Sequence, residues 1–223
     1  MEISLATALG MLLDGAKITI ILSFFSIFLG LLIGLLVAIG ETYGGKVIKY
    51  ISMGYENIIR GIPLLAIYFI LFFSIPIMIG IGMSPFLTAV LGLGIRSSAY
   101  QSQIFRSGIQ AVDEGQIEAA QALGMNKWDI IIHIVLPQAL RFSLPAWMNE
   151  YTIVLKDTSI ALAIGIIELT ARANQLVTVT LQPFLYYGLA GLLYLIMVLS
   201  VGYLSSYLGK KYQIKGVGGV LRA

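Results

Sequence analysis

No charged residue lies between Lys17 and Glu41. Coiled as an α-helix, the intervening run, residues 18–40, is about as long as the hydrocarbon core of a bilayer is thick, roughly 30 Å. The pattern recurs along the chain. Residues 61–95 are also uncharged, and Pro76, Gly80, Gly82 and Pro85 near their centre mark a turn. That run is too long for one crossing and tight for two, so two helices are expected to meet at the turn, over about residues 50–77 and 85–110. A fourth apolar stretch, residues 144–168, is interrupted by Glu150, Lys156 and Asp157, and the uncharged run 173–209 holds a fifth span at about 184–208. Charged residues make up 11% of the chain and hydrophobic ones 58%, whereas soluble domains carry about 25% charge. The expected fold is an all-α membrane protein of about five transmembrane helices. It forms a single transmembrane domain over residues 1–223, with a loop at about 111–140 between the third and fourth spans. The opening residues lack the basic start and small-residue cleavage site of a signal peptide, so the first span is expected to be retained.

The same composition excludes several chemistries. There is no cysteine and a single histidine, His133, which removes disulfides, thiolate nucleophiles and any Cys/His metal cluster. Neither G-x-S-x-G nor H-E-x-x-H is present, and no G-x-x-x-x-G-K-[ST] phosphate loop, so the chain is expected not to be an enzyme and to hydrolyse no ATP itself. Lys and Arg set the orientation. Lys46, Lys49 and Arg60 follow the first span, Arg106, Lys127 and Arg141 surround the central loop, and Lys210, Lys211, Lys215 and Arg222 sit in the tail. The turn at 76–85 has no basic residue and the loop before the last span only Arg172. The N-terminus is thus expected outside, the central loop and C-terminus in the cytoplasm. This distribution accounts for the net charge of +3 without a nucleic-acid partner.

The central loop reads as two short helices. Asp113 with Gln116 three residues on resembles a capping box. Glu118 suits the dipole of the first turns, and Ala119, Ala120 and Ala122 keep the helix slim. Gly124 stands where a left-handed C′ residue would end it. Asn126 is placed to cap a second helix over residues 127–135, which Pro137 is expected to end. On these grounds alone the pair could be a plain connector between spans.

Glu118-Ala119-Ala120, Gly124 and Ile134-x-Leu136-Pro137 at their fixed spacing resemble the signature loop of ABC importer permeases. Arg60-Gly61-Ile62-Pro63-Leu64-Leu65, Gly115-Gln116 and Lys156-Asp157-Thr158-Ser159 resemble the polar amino acid uptake branch, and the likeness runs over about residues 12–208. The resemblance implies that Gly115, Glu118, Ala119, Ala120, Gly124, Leu136 and Pro137 form coupling helices that dock on a cytosolic ABC ATPase subunit. ATP and Mg would be held on that partner, and no cofactor on this chain. It further implies a second permease subunit completing a homodimer, an extracellular or periplasmic amino-acid-binding protein, and a bacterial inner membrane. Gln103 departs from the pattern, since many relatives carry glutamate there. An ion-coupled secondary transporter is the competing class, but five spans suit internal inverted repeats poorly.

Charges inside a membrane are costly and should face protein or water. Glu150 and Asp157 are seven residues apart, nearly two helical turns, and share one face. They could form a structural ion pair with Arg96 or another span, or recognise a cationic substrate. Thr158 and Ser159 are capping residue types. A helix break there would free N–H groups for a substrate carboxylate, while the same hydroxyls could equally serve as interhelical glue. Asn149-Glu150 resembles the pair in permeases for histidine, lysine and arginine, glutamine permeases tending to be neutral at the second place. The expected substrate is therefore a basic amino acid, held by Asn149, Glu150, Asp157, Thr158 and Ser159, with glutamine or another neutral polar amino acid as the alternative. Arg96, Tyr100, Gln103 and Ser107 fall on one face of the third span, lining a path or packing against the fourth.

Overall fold

A computed structural model of the protein describes residues 4–211, among which every regular element is helical. The helices are α1 (Leu5–Tyr43), α2 (Lys46–Gly61), α3 (Leu64–Ile79), α4 (Pro85–Gln110), α5 (Glu114–Ala122), α6 (Lys127–Ile164), α7 (Leu169–Thr180) and α8 (Pro183–Lys211). Lys215 and Arg222 of the basic tail lie outside the described residues. By length and composition α1, α6 and α8 can each cross a membrane, and α2 and α3 pass the same test only as a pair, bent by 100°. The fifth long segment, α4, has 26 residues, about 39 Å of helix, but is too polar to pass on composition. Its polarity follows from its place: α4 is the central helix, packed against α1, α6 and α2.

Small residues let the helices approach. A Cβ on Gly34 of α1 would stand 2.8 Å from the Ser98 carbonyl oxygen and 3.0 Å from Gln101 Cβ, and one on Gly30 would meet the Gln101 side chain. Gly108 of α4 is pressed in the same way against Ala139 and Ser143 of α6. Such close backbones are how helices gain packing energy where no water drives them together. The seam they enclose is polar: Ser97, Ser98, Gln101 and Ser102 are fully buried on α4. Apolar side chains such as Phe24, Leu32 and Leu36 of α1 point outward, as a lipid solvent requires.

Three expectations about the helices need correction. The second span is not one helix over residues 50–77, because the chain turns by 100° between α2 and α3. Ile62 and Pro63 are extended there, since a residue before proline is pushed out of the helical region. Pro137 does not end the second loop helix, which continues as α6. The backbone widens into a π-turn over Ile131–Val135 just ahead of the proline, which absorbs its missing N–H and its ring. The same device, a π-turn over Ile70–Ser74, precedes Pro76 in α3. Finally, no break opens at Thr158. The last turns of α6 tighten to a 3₁₀ helix over Thr158–Ile164, and Gly165, at φ +88°, ends it. The next helix, α7, is capped by the fully buried Glu168, which accepts N–H bonds from Thr170 and Ala171 at 2.9 and 2.8 Å.

Candidate functional site

Two regions hold the predicted site residues, one inside the helical bundle and one on the α5–α6 hairpin. In the bundle, α4 and α6 bring Arg96 and Asp157 together, Nη1 donating to Oδ2 at 2.7 Å. Of the two readings left open by the sequence, Asp157 thus takes the ion pair in this structure. Glu150, two turns earlier on the same face of α6, is only 4% exposed and accepts a bond from Ser97 Oγ at 2.8 Å. Among the described residues no cation stands within 4.0 Å of it. Ser97 is itself held by Gln101 Nε2 at 3.0 Å, and Gln101 Oε1 accepts from Trp147 Nε1 at 2.7 Å. This chain of bonds fixes the carboxylate from behind.

Glu150 lines a cavity of about 370 Å³ between α4 and α6, together with Tyr100, Gln103, Ser107, Phe142 and Ala146. The polar stripe of the third span therefore divides. Tyr100, Gln103 and Ser107 face the cavity, and Arg96 packs on the fourth span. Tyr100 also has two guanidiniums near its ring, Arg96 at 5.0 Å and Arg60 at 5.3 Å from the centroid. The remaining predicted substrate residues are arranged differently from expectation. Asn149 is exposed, and Glu150 beside it is buried. Thr158 is buried, its hydroxyl bonded to the Leu155 carbonyl at 2.7 Å and its N–H to the carbonyls of Val154 and Lys156. Ser159, on the same 3₁₀ turn, is half-buried. With no break at Thr158, the helix N-terminus expected to follow it does not form.

A second polar cluster escaped the sequence reading. Arg106 on α4 pairs with Glu41 at the end of α1 and reaches Glu56 on α2 at 4.0 Å. Glu56, 3% exposed, also accepts from Ser102 and from Gln103, the latter at 3.3 Å. The neutral amide at position 103 donates where a carboxylate could not. Only the positions of Glu41 and Glu56, charged residues flanking spans on the same side as Arg106, could have hinted at this cluster.

On the hairpin, Gly124 has φ +79° and Met125 N–H bonds back to the Ala120 carbonyl at 3.1 Å, the left-handed closure expected of a C′ glycine. Asn126 caps the next helix, its Oδ1 accepting from the N–H groups of Trp128 and Asp129 at 3.0 Å each. The capping box at Asp113 is not formed. Asp113 makes no side-chain cap bond, and the Gln116 side chain instead accepts from Gln138 of α6 at 2.7 Å. Gly115, Glu118, Ala119 and Pro137 are exposed and Leu136 half-buried, while Ala120 packs inward with Phe105, Val112 and Ile130. Large apolar side chains project from the same unit: Leu123, Trp128 and Ile132 are each more than half exposed.

The sequence model of the binding-protein-dependent transport system inner membrane component family matches residues 30–214. The glutamine transport system permease protein GlnP of Escherichia coli K12 is 31% identical over 208 residues, covering 93% of this chain and 95% of that one. The nopaline transport system permease protein NocM of Agrobacterium fabrum is 34% identical over 199 residues, 85% of this chain and 83% of its own. A chain of an amino acid ABC transporter solved with histidines superposes with a TM-score of 0.83 at 33% identity, over 95% of this chain and all of that one. The methionine ABC transporter MetNI, in an inward-facing form, shares the fold alone, with a TM-score of 0.82 at 17% identity over 95% of this chain and 100% of that chain. Matched over most of its length by the family model and by these permeases, the chain belongs to the binding-protein-dependent transport system inner membrane components, as a permease of an ABC importer for amino acids.

Proposed function

We propose that the substrate is an α-amino acid with a neutral polar side chain, of the glutamine type, passing the cavity between α4 and α6. The supporting observation is the charge inventory around that cavity. Arg96 is bonded to Asp157, so Glu150 is the carboxylate on the cavity wall with no cation within 4.0 Å among the described residues. One such carboxylate is matched by the α-ammonium that every amino acid carries, which leaves none for a cationic side chain. The likeness to glutamine permeases supports the same substrate. A basic amino acid is the second reading, favoured by the placement of Glu150 and Asp157 on one helix face, with Glu150 then engaging the side chain. In either case the hairpin, with exposed Leu123 and Trp128, is the surface offered to a cytosolic ATPase. The functional unit is then two copies of this chain, two ATPases that hold ATP and Mg, and a binding protein outside a bacterial inner membrane.

Uptake by the complete importer separates the two substrates. Glu150→Gln keeps the shape and the bond to Ser97 but removes the charge. A charge-assisted hydrogen bond contributes about 1.5–3 kcal/mol, roughly ten- to a hundred-fold in affinity. If Glu150 holds the α-ammonium, labelled glutamine should outcompete arginine in the wild type, and the variant should lose affinity for all amino acids alike. Arginine as the preferred substrate, with a loss in Glu150→Gln confined to arginine, lysine and histidine, would instead establish the basic reading.

A further inference from the structure

We infer that Arg60 binds the α-carboxylate of the transported amino acid. The inference rests on the reading that substrate passes the cavity between α4 and α6. Its starting point is the contrast between the two guanidiniums beside Tyr100. Arg96 is committed to Asp157 at 2.7 Å. Arg60 has no carboxylate within 4.0 Å among the described residues and is exposed. It lies 5.3 Å from the Tyr100 ring centroid, and Tyr100 forms part of the cavity wall that also holds Glu150.

A charge facing lipid is strongly disfavoured, so an exposed Arg60 beside a span must meet water or an anionic group. Its stacking leaves it suited to the second: a guanidinium lying on an aromatic face still presents its N–H edge as a fork that matches a carboxylate. The local backbone places it there. Arg60 is the residue before the end of α2, where the chain turns by 100° into α3, so its side chain leaves the helix at the corner. The anion position expected at a break after Thr158 and Ser159 is absent, because the helix runs on through Ile164. The cavity, about 370 Å³, falls within the range of small-molecule sites. Neither Arg60 nor Lys156, an exposed cation of α6, lines the cavity itself; Arg60 reaches its wall through the Tyr100 ring, and Lys156 makes no such contact with an aromatic of the wall among the described residues.

The test is equilibrium binding to the detergent-purified permease–ATPase complex, comparing labelled L-glutamine with its α-amide, which lacks the carboxylate charge. Wild type should prefer the acid by tenfold or more. Arg60→Gln should bind acid and amide equally, Arg60→Lys should keep most of the preference, and Lys156→Gln should keep all of it. Running arginine against its α-amide in parallel makes the result independent of which side chain is preferred, because both amino acids share the carboxylate. Should Arg60→Gln not assemble, a full preference in Arg60→Lys together with a collapse in Lys156→Gln would assign the role to Lys156 and overturn the inference. An undiminished preference for the acid in Arg60→Gln would also overturn it, leaving Arg60 as a helix-end cation stacked on Tyr100. So would a wild type that does not discriminate.

Discussion

At Gly124 nothing stands within 4 Å of the place a Cβ would occupy, yet φ is +79°. The cost of a side chain there is therefore conformational, about 1–2 kcal/mol for an ordinary residue and more for a β-branched one. Gly124→Val should distort the hairpin locally while the permease still inserts. In the reconstituted importer transport should fall, and ATP hydrolysis should lose its response to substrate. Full substrate-stimulated hydrolysis by this variant would show that the turn geometry does not matter for coupling. Gly124 and Asn126 were legible in the sequence because each does its work through its own backbone or its nearest neighbours. Asp113 was misread for a related reason. Its expected partner Gln116 has a better one in Gln138, 22 residues away, and no local pattern announces it.

Among elements, the contact of α1 with α4 is the most extensive. Gly34→Val would drive a Cβ to within 2.8 Å of the Ser98 carbonyl oxygen, and backbone on the facing helix cannot swing aside. Overpacking of this kind costs about 1–3 kcal/mol, roughly 2–10 °C in a protein of this size. Gly10→Val, on the same helix with nothing within 4 Å, is the control and should change little. Thermal unfolding followed by size-exclusion fluorescence compares them, and equal melting of both variants would mean the helices do not rely on this approach. Element boundaries were legible wherever charge or turn residues marked them, as at Pro85, the first residue of α4. The prolines misled at Pro137. A π-turn one residue ahead of a proline leaves no trace in composition, so a helix that bends reads as a helix that stops.

For the molecule as a whole, the Lys and Arg distribution predicts the sidedness of the chain. The turn joining α3 to α4 and the α5–α6 hairpin lie on opposite sides in our reading of the Lys and Arg distribution. Because the chain contains no cysteine, single thiols can be introduced without background. In intact cells a membrane-impermeant thiol reagent should label Gly82→Cys and leave Asn126→Cys untouched, and the reverse pattern would invert the topology. The spans were legible because lipid imposes a uniform demand that charge-free runs satisfy. The interior was legible only in part: Arg96 with Asp157 was one of two readings, and Glu41 with Arg106, 65 residues apart, none. Such pairs are chosen by three-dimensional packing, which periodicity does not encode.

The polar seam of α4 bears on how the protein is made. A helix with Ser97, Ser98, Gln101 and Ser102 all on buried positions gains little by dissolving in lipid alone. Its hydroxyls and amide would be left in hydrocarbon without partners. Of those partners, Glu150 and Trp147 of α6, which bond Ser97 and Gln101, come later, but the Ile27 carbonyl of α1 and the Tyr55 hydroxyl and Glu56 carboxylate of α2 precede α4. These leave the ribosome first. Biogenesis is thereby given an order: α1 and α2 settle in the bilayer as a half-finished surface, and α4 enters from the translocon onto that surface instead of into lipid.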